Sequence, residues 1–170
     1  MRLFIIFIFM FFATINCFSQ QSLKVKTILG KYKTTYRMTE KGDSVMRHQL
    51  VADGEIYEPQ INIKTQKAKQ IEYELKGHNS SGGLSINKIK KIRTEQEIID
   101  NILVIRHYAV INGIPGKEGN NVLGYNYVKE NHLKIPKNIM KVKIELYHEF
   151  TNQRIKKPLK LMKEIEVNLK

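Results

Sequence analysis

Alternation of apolar and polar residues is the dominant pattern in this chain, and it predicts β-strands. The clearest example covers residues 140–150, where Val142, Ile144 and Leu146 share one face while Lys141, Lys143 and Glu145 share the other. The same period of two recurs in the segments 23–29, 32–38, 71–76 and 159–169, each of which has one face suited to a core and one suited to water. Strands are also predicted at 44–51, where His48 and Gln49 interrupt the two faces, at 56–63, where Pro59 suggests an edge or bulge, and at the tyrosine-rich segment 122–128.

Eight or nine strands separated by short turns predict a mostly antiparallel all-β protein built as a two-sheet β-sandwich. An immunoglobulin-like arrangement is the commonest solution, and a closed antiparallel β-barrel of the lipocalin kind is the alternative. Turns are expected at Lys41-Gly42-Asp43, and Asp53-Gly54 is a strong hairpin signal. Residues 102–111 are apolar on both faces apart from Arg106 and His107, as expected of a central strand.

One segment departs from the strand pattern and predicts a short helix. Ile86, Ile89 and Ile92 are spaced by three, which is nearer to the helical period. Thr94 and Glu97 have the spacing of a capping box at a helix N-terminus. We therefore expect a helix over residues 95–101, within a fold that has at most one or two short helices.

The first nineteen residues have the layout of a secretory signal peptide. Arg2 supplies a positive charge, an uncharged apolar stretch covers residues 3–15, and small or polar residues follow. The apolar stretch spans about 20 Å as a helix, which is short for a hydrocarbon layer of about 30 Å. We expect cleavage after Ser19, which leaves residues 20–170 as a single β-rich domain without a transmembrane span.

Cys17 allows a second form of export, in which a lipid is attached to this cysteine. Asn16 stands where a lipobox has a small residue, so lipid anchoring is the minority hypothesis. Cys17 is also the single cysteine of the chain, so the mature domain has no disulfide. The leader, with its Cys-Phe-Ser-Gln-Gln end, resembles signal peptides of Bacteroidetes. We expect a periplasmic or secreted protein of a bacterial envelope rather than a small disulfide-rich eukaryotic domain.

The chain is strongly basic, with a formal net charge of +13, and loss of the leader removes only the charge of Arg2. Most of the lysines alternate with apolar residues, which is typical of the solvent-facing side of half-buried strands, so a solvated outer face explains the charge without a partner. The alternative is a binding surface for a partner, namely an envelope protein, an anionic glycan or a lipid head group. Export makes nucleic acid a poor candidate. The densest positive run could form a ridge for an anionic partner if Ile86, Ile89 and Ile92 pack inward, and it consists of Lys88, Lys90, Lys91 and Arg93.

No motif in the sequence predicts catalysis, a cofactor or a metal site. The five histidines have no spacing that brings two rings from one element to one metal. His107 and His148 lie on apolar strand faces and are expected in the core, whereas His78 and His132 are expected in loops or at edges. Glu145 and Glu149 share a strand face but lie about 13 Å apart along it, which is too far for a glycosidase pair.

These observations lead to one main hypothesis and two alternatives. The main hypothesis is an exported bacterial envelope protein that acts as a non-enzymatic binding or scaffolding module, with an anionic partner. The first alternative is a small envelope hydrolase acting on polysaccharide or peptidoglycan, which requires converging carboxylates or a histidine pair. The second is a carrier that holds an apolar ligand inside a β-barrel.

Overall fold

The computed structural model describes residues 22–67, 69–81, 85–117, 119, 121–152 and 157–169, with the side chain of Ser85 left aside. The predicted leader, its cleavage site after Ser19 and Cys17 lie outside these residues. The described residues contain no helix, and so none that is long and apolar enough to cross a membrane. They form nine strands: β1 Lys24–Met38, β2 Ser44–Ala52, β3 Gln60–Lys67, β4 Gln70–Ser80, β5 Ser85–Ile99, β6 Ile102–Pro115, β7 Val122–Lys134, β8 Lys141–Thr151 and β9 Lys160–Asn168.

The strands form two sheets, which confirms the predicted all-β sandwich class. The first sheet has the order β2-β1-β7-β4-β3 and the second has the order β5-β6-β8-β9. Every pairing is antiparallel except that of β6 with β8, which is parallel. The parallel pair arises because the chain leaves β6, forms β7 in the opposite sheet and then returns to form β8 in the same direction as β6.

This strand order differs from both topologies considered from sequence. In immunoglobulin domains the sheets are ABED and CFG, whereas here β1 lies between β2 and β7. The described strands also leave β2, β3, β5 and β9 as sheet edges, so they form two open sheets rather than one closed sheet.

The core lies between the two sheets and is built from the alternating inward residues of their central strands. In the first sheet Ile71 is paired with Leu133, and in the second Ile105 is paired with Ile144. All four side chains are at most 1 % exposed, so each contributes close to its full transfer free energy, about 1.5–3 kcal/mol. The core cluster comprises Ile61, Ile71, Tyr73, Leu75, Ile89, Ile92, Leu103, Ile105, Ala109, Ile111, Tyr127, Leu133, Ile135, Val142, Ile144, Leu146 and Val167.

The expected helix over residues 95–101 is wrong, because β5 continues through this region as far as Ile99. A register shift between Ile89 and Lys91 places one additional residue in β5 opposite β6. This β-bulge lets Ile89 and Ile92, three positions apart, both enter the core, and so it imitates a helical spacing. Ile86 is only half-buried and lies outside the core cluster.

The last two residues of the segment predicted as a helix form the turn between β5 and β6. Ile99 pairs with Ile102, so Asp100 and Asn101 form a two-residue hairpin loop. Both have positive φ, 49° and 62°, as a type I′ turn requires. Thr94 does not cap a helix but bonds to His107 in the core, which leaves its resemblance to a capping box without structural meaning.

The hairpin expected at Asp53-Gly54 is also wrong, although the turn at Gly42 is confirmed. Gly42 has φ of 83° and lies between β1 and β2, which pair directly. After β2, however, residues 53–59 cross to the far edge of the same sheet, because β3 pairs with β4 and not with β2. The crossing segment is therefore a connection over the sheet rather than a tight turn.

Candidate binding surface

The first two strands extend beyond the sandwich as a two-stranded arm, defined here as residues 31–51. The first part of β1, up to Leu29, pairs with β7, whereas the part from Gly30 onward pairs only with β2. The eight residues from Lys31 to Met38 reach about 25 Å at 3.3 Å per residue. Every residue from 31 to 49 is exposed. The arm therefore presents both of its faces to solvent.

The two faces of the arm have opposite chemistry because residues in a strand alternate between faces. On the apolar face Tyr32 pairs with Leu50, and Tyr36 pairs with Met46. Tyr36 is 72 % exposed and Met38, on the same face, is 67 % exposed. The opposite face, named here the basic face, carries Lys31, Lys33, Arg37 and Arg47.

Polar contacts order the arm at its tip and along its length. At the tip the N–H of Asp43 donates to the hydroxyl of Thr39 at 3.2 Å, and the N–H of Thr39 donates to the carbonyl of Asp43 at 2.8 Å. Halfway along the arm, Oγ1 of Thr34 lies 3.0 Å from Nδ1 of His48. A two-stranded hairpin is marginal in water, so these contacts supplement the pairing with cross-strand bonds.

The crossing segment begins at the base of the arm, where the N–H of Asp53 donates to the carbonyl of Leu29 at 2.8 Å, and Asn126 of β7 holds the segment on the sheet. Its side-chain carbonyl accepts the N–H of Tyr57 at 3.1 Å, and its amide donates to the carbonyl of Glu55 at 2.8 Å. Nδ1 of His78 lies 3.0 Å from the same side-chain oxygen and must therefore be the protonated nitrogen. His78 was expected in a loop or at an edge, but it lies in β4, which is paired with β7 on one side and β3 on the other.

The predicted basic ridge lies on β5, but only three of its members are available to a partner. Lys88, Lys90 and Lys91 are exposed around the β-bulge. Arg93 is held within the molecule: it contacts Glu95, donates to Glu149 at 3.0 Å and lies 4.0 Å from the ring centroid of Tyr108. A side chain with these three contacts is a poor donor for an external anion.

Arg93 belongs to a network of charges and tyrosines on the outer face of the second sheet. The rings of Tyr108 and Tyr147 are stacked, with centroids 5.3 Å apart. Burial raises the pKa of Glu145, but hydrogen bonds from Lys143 and Tyr147 and the charge of Arg106 outweigh it, so the pKa stays below its usual value. The carboxylate therefore stays ionised and paired at neutral pH.

Two buried tyrosine–histidine hydrogen bonds connect the sheets. Oη of Tyr73 lies 2.7 Å from Nε2 of His107, and Oη of Tyr127 lies 3.0 Å from Nε2 of His148. Burial, together with nearby Lys129, lowers the pKa of His107 to about 3, and burial is also the main cause that lowers the pKa of His148 to about 4. Both rings are neutral at physiological pH, and the expectation that both are bonded core histidines is confirmed.

The remaining histidines do not converge on a common centre. His132, which was expected in a loop or at an edge, lies in β7 at the centre of the first sheet, 3.3 Å from a carboxylate oxygen of Glu72. Among the described residues, no group of three or more His, Cys, Asp or Glu side chains is placed to hold a metal ion. The chain matches no protein-family model, no curated protein and no solved structure in the three comparisons made.

The arm is the surface that the sequence pattern did not single out. Alternation of Tyr32, Thr34, Tyr36 and Met38 with lysine and arginine is visible in the sequence, but it equally describes a strand with one face in the core. Periodicity assigns residues to a face and does not show whether another element covers that face. The close spacing of cations and tyrosines over residues 31–37 is the signal that could have suggested an exposed arm.

Proposed function

We propose that the protein is an exported, non-enzymatic binding module of the bacterial envelope, which holds an anionic partner on the basic face of its arm. The observation that carries the proposal is the exposure of Lys33, Arg37 and Arg47 on the basic face of the arm. Three cations on one face raise the local concentration of an anionic partner and orient it. Lys31 contributes less because it is paired with Asp53 at 2.9 Å.

The exposed lysines of the ridge support the same proposal because they lie at the end of the sandwich from which the arm projects. Gly30, at the base of the arm, packs beside Leu123 of β7. The carbonyl of Leu123 accepts the N–H of Ser81 at 3.1 Å, and the hydroxyl of Ser81 accepts the N–H of Asn87 at 2.9 Å. Lys88 follows directly, so the exposed ridge lysines and the base of the arm lie at the same end of the sandwich.

The distribution of acids and histidines favours a binding role over the hydrolase alternative. His107 and His148 are each bonded to a different buried tyrosine, and the carboxylates of Glu145 and Glu149 bond to basic side chains. A general acid needs a shifted pKa and access to substrate. The two histidines whose pKa values are lowered, His107 and His148, lie inside the core. Because the core cluster occupies the space between the sheets, the carrier alternative also has little support.

The decisive experiment compares two triple variants with equal loss of charge. The arm variant is Lys33→Gln, Arg37→Gln and Arg47→Gln, and the control variant is Lys134→Gln, Lys137→Gln and Lys163→Gln, all exposed in the sandwich. Affinity for heparin, a sulfated polysaccharide probe, is measured as a function of salt. At about 1 kcal/mol per cation near an anionic surface, the arm variant should lose about a hundredfold in affinity.

The control variant should lose less than tenfold, because its cations lie outside the proposed site. An equal loss in the two variants would show that only net charge matters, and it would overturn the proposal. Unchanged binding in both variants would have the same consequence. Circular dichroism of the two variants verifies that neither substitution set unfolds the sheets.

A further inference from the structure

The apolar face of the arm needs a different occupant from the basic face. Tyr32, Tyr36, Met38 and Met46 are each more than half exposed on this face. Together they present roughly 500 Å² of apolar side chain, which is near the upper limit for the surface of a monomeric protein. A patch of this size on a projecting element indicates contact with another molecule.

The rows of side chains across the apolar face are arranged so that the face fits a second copy of itself. The Thr34–His48 row is polar and bonded within the arm. The row on one side is Tyr32 with Leu50, and the row on the other side is Tyr36 with Met46. A two-fold axis that lies between the two faces, along the middle row, therefore places the Tyr32–Leu50 row of each copy against the Tyr36–Met46 row of the other. Such a contact is isologous, so it closes at two copies.

The positions of the charges favour a second copy over a lipid surface. When two apolar faces meet, Lys33, Arg37 and Arg47 of both copies point away from the interface, so like charges are not brought together. On an anionic bilayer the same orientation would direct those cations away from the head groups. Insertion of the tip instead would bring Glu40 and Asp43 into the apolar layer, which is costly.

We propose that two copies of this protein associate through the apolar faces of their arms, with Thr34 of each copy at the two-fold axis. The dimer buries roughly 1,000 Å² in total, which lies at the lower limit for a specific interface. Association is therefore weak and depends on concentration. The basic faces remain accessible on both sides of the paired arms, so the dimer does not require the anionic partner and does not compete with it.

Sedimentation velocity over a range of protein concentrations measures the association. The arm variant Tyr36→Thr with Met46→Thr keeps β-forming residues and removes apolar contacts, and it should weaken association at least tenfold. The matched control, Met140→Thr with Leu161→Thr, changes exposed apolar residues of the sandwich and should associate as the unmodified protein does. A protein that stays monomeric at all concentrations, or equal weakening in both variants, overturns the proposal.

Cysteine cross-linking tests the position of the axis, and it does not depend on the stability of the threonine variants. Thr34→Cys places a thiol at the proposed axis, whereas Thr35→Cys places one on the basic face. Oxidation should give a disulfide-linked dimer from Thr34→Cys and little from Thr35→Cys. Equal cross-linking overturns the proposal, as does binding to phosphatidylglycerol vesicles that requires Tyr36 while the unmodified protein stays monomeric. Heparin binding by the apolar-face variant distinguishes failure of the dimer from failure of the anionic site.

Discussion

The phenol oxygen of Tyr73 lies 2.7 Å from Nε2 of His107 and so joins a central strand of one sheet to a central strand of the other. The second ring nitrogen of His107 lies 2.9 Å from the hydroxyl of Thr94, so both nitrogens have partners. The pair is in the middle of the core, where an unbonded imidazole would carry a desolvation cost of about 1–3 kcal/mol. It links the sheets by a directional contact, as the bond between Tyr127 and His148 does elsewhere in the core.

The first prediction is that the protein loses stability as the pH falls below about 6.5. Burial lowers the pKa of His107 to about 3 and that of His148 to about 4, against 6.5 for an exposed histidine. Between these values the unfolded chain binds more protons than the folded protein, so the free energy of unfolding decreases on acidification. From pH 7.5 to pH 5 the two histidines together account for a loss of about 4 kcal/mol.

Urea titrations at the two pH values measure this loss, and an apolar replacement isolates one histidine. The variant Tyr73→Phe, Thr94→Val and His107→Leu keeps the shapes of the three side chains and removes the titrating ring. Its loss between the two pH values should be about 2 kcal/mol smaller than that of the unmodified protein. Carboxylates contribute equally in both proteins, so an identical loss would show that His107 is not the origin of the effect.

The second prediction concerns Gly77, whose missing side chain makes room for the ring of Tyr127. The two residues are register partners in β4 and β7, and a β-carbon at position 77 would overlap the phenol of Tyr127. Gly77→Ala should therefore displace the ring, weaken its bond to His148 and lower the free energy of unfolding by about 1–3 kcal/mol. Thermal unfolding followed by circular dichroism measures the change.

Gly119→Ala is the matched control for this substitution. A β-carbon at position 119 would lie 3.7 Å from the side chain of Val122, which is an ordinary contact. The control should therefore change the free energy of unfolding by less than about 1 kcal/mol. Equal effects of the two substitutions would contradict the packing argument.

The third prediction is that Asn126 fixes the segment 53–59 on the sheet. Asn126→Ala removes the acceptor for the N–H of Tyr57 and the donor to the carbonyl of Glu55. Amide exchange in this segment should become faster, and the free energy of unfolding should fall by about 2–4 kcal/mol because polar groups in a part-buried site lose their partners. Asn131→Ala, on the same strand, is the control, since its hydrogen bond to the carbonyl of Lys129 is local. Unchanged exchange at Tyr57 would rule out this role.

The sequence predicts the class of fold because the period of two survives wherever one strand face is buried. The prediction from periodicity is wrong at Ile89 and Ile92, where a bulge shifts the inward positions and imitates a helical spacing. The hairpin prediction at Asp53-Gly54 is also wrong, because a turn signal is local while the choice of the next strand partner depends on the whole sheet. The exposure of the arm could not be predicted for a related reason: a strand covered by another element and a strand left in solvent show the same alternation of apolar and polar residues.

Removal of the first nineteen residues is the fourth prediction, and it tests the location on which the proposed role depends. Cleavage after Ser19 leaves Gln20 as the first residue, and Cys17→Ser should leave this product unchanged because serine is also a small residue and so suits the −3 position that Cys17 occupies. Intact-mass analysis of the exported protein from a bacterial host measures both forms. A mature chain that begins at Cys17 and carries acyl chains would show lipid anchoring instead. In that case Cys17→Ser should stop processing, because it removes the thiol to which the lipid is attached.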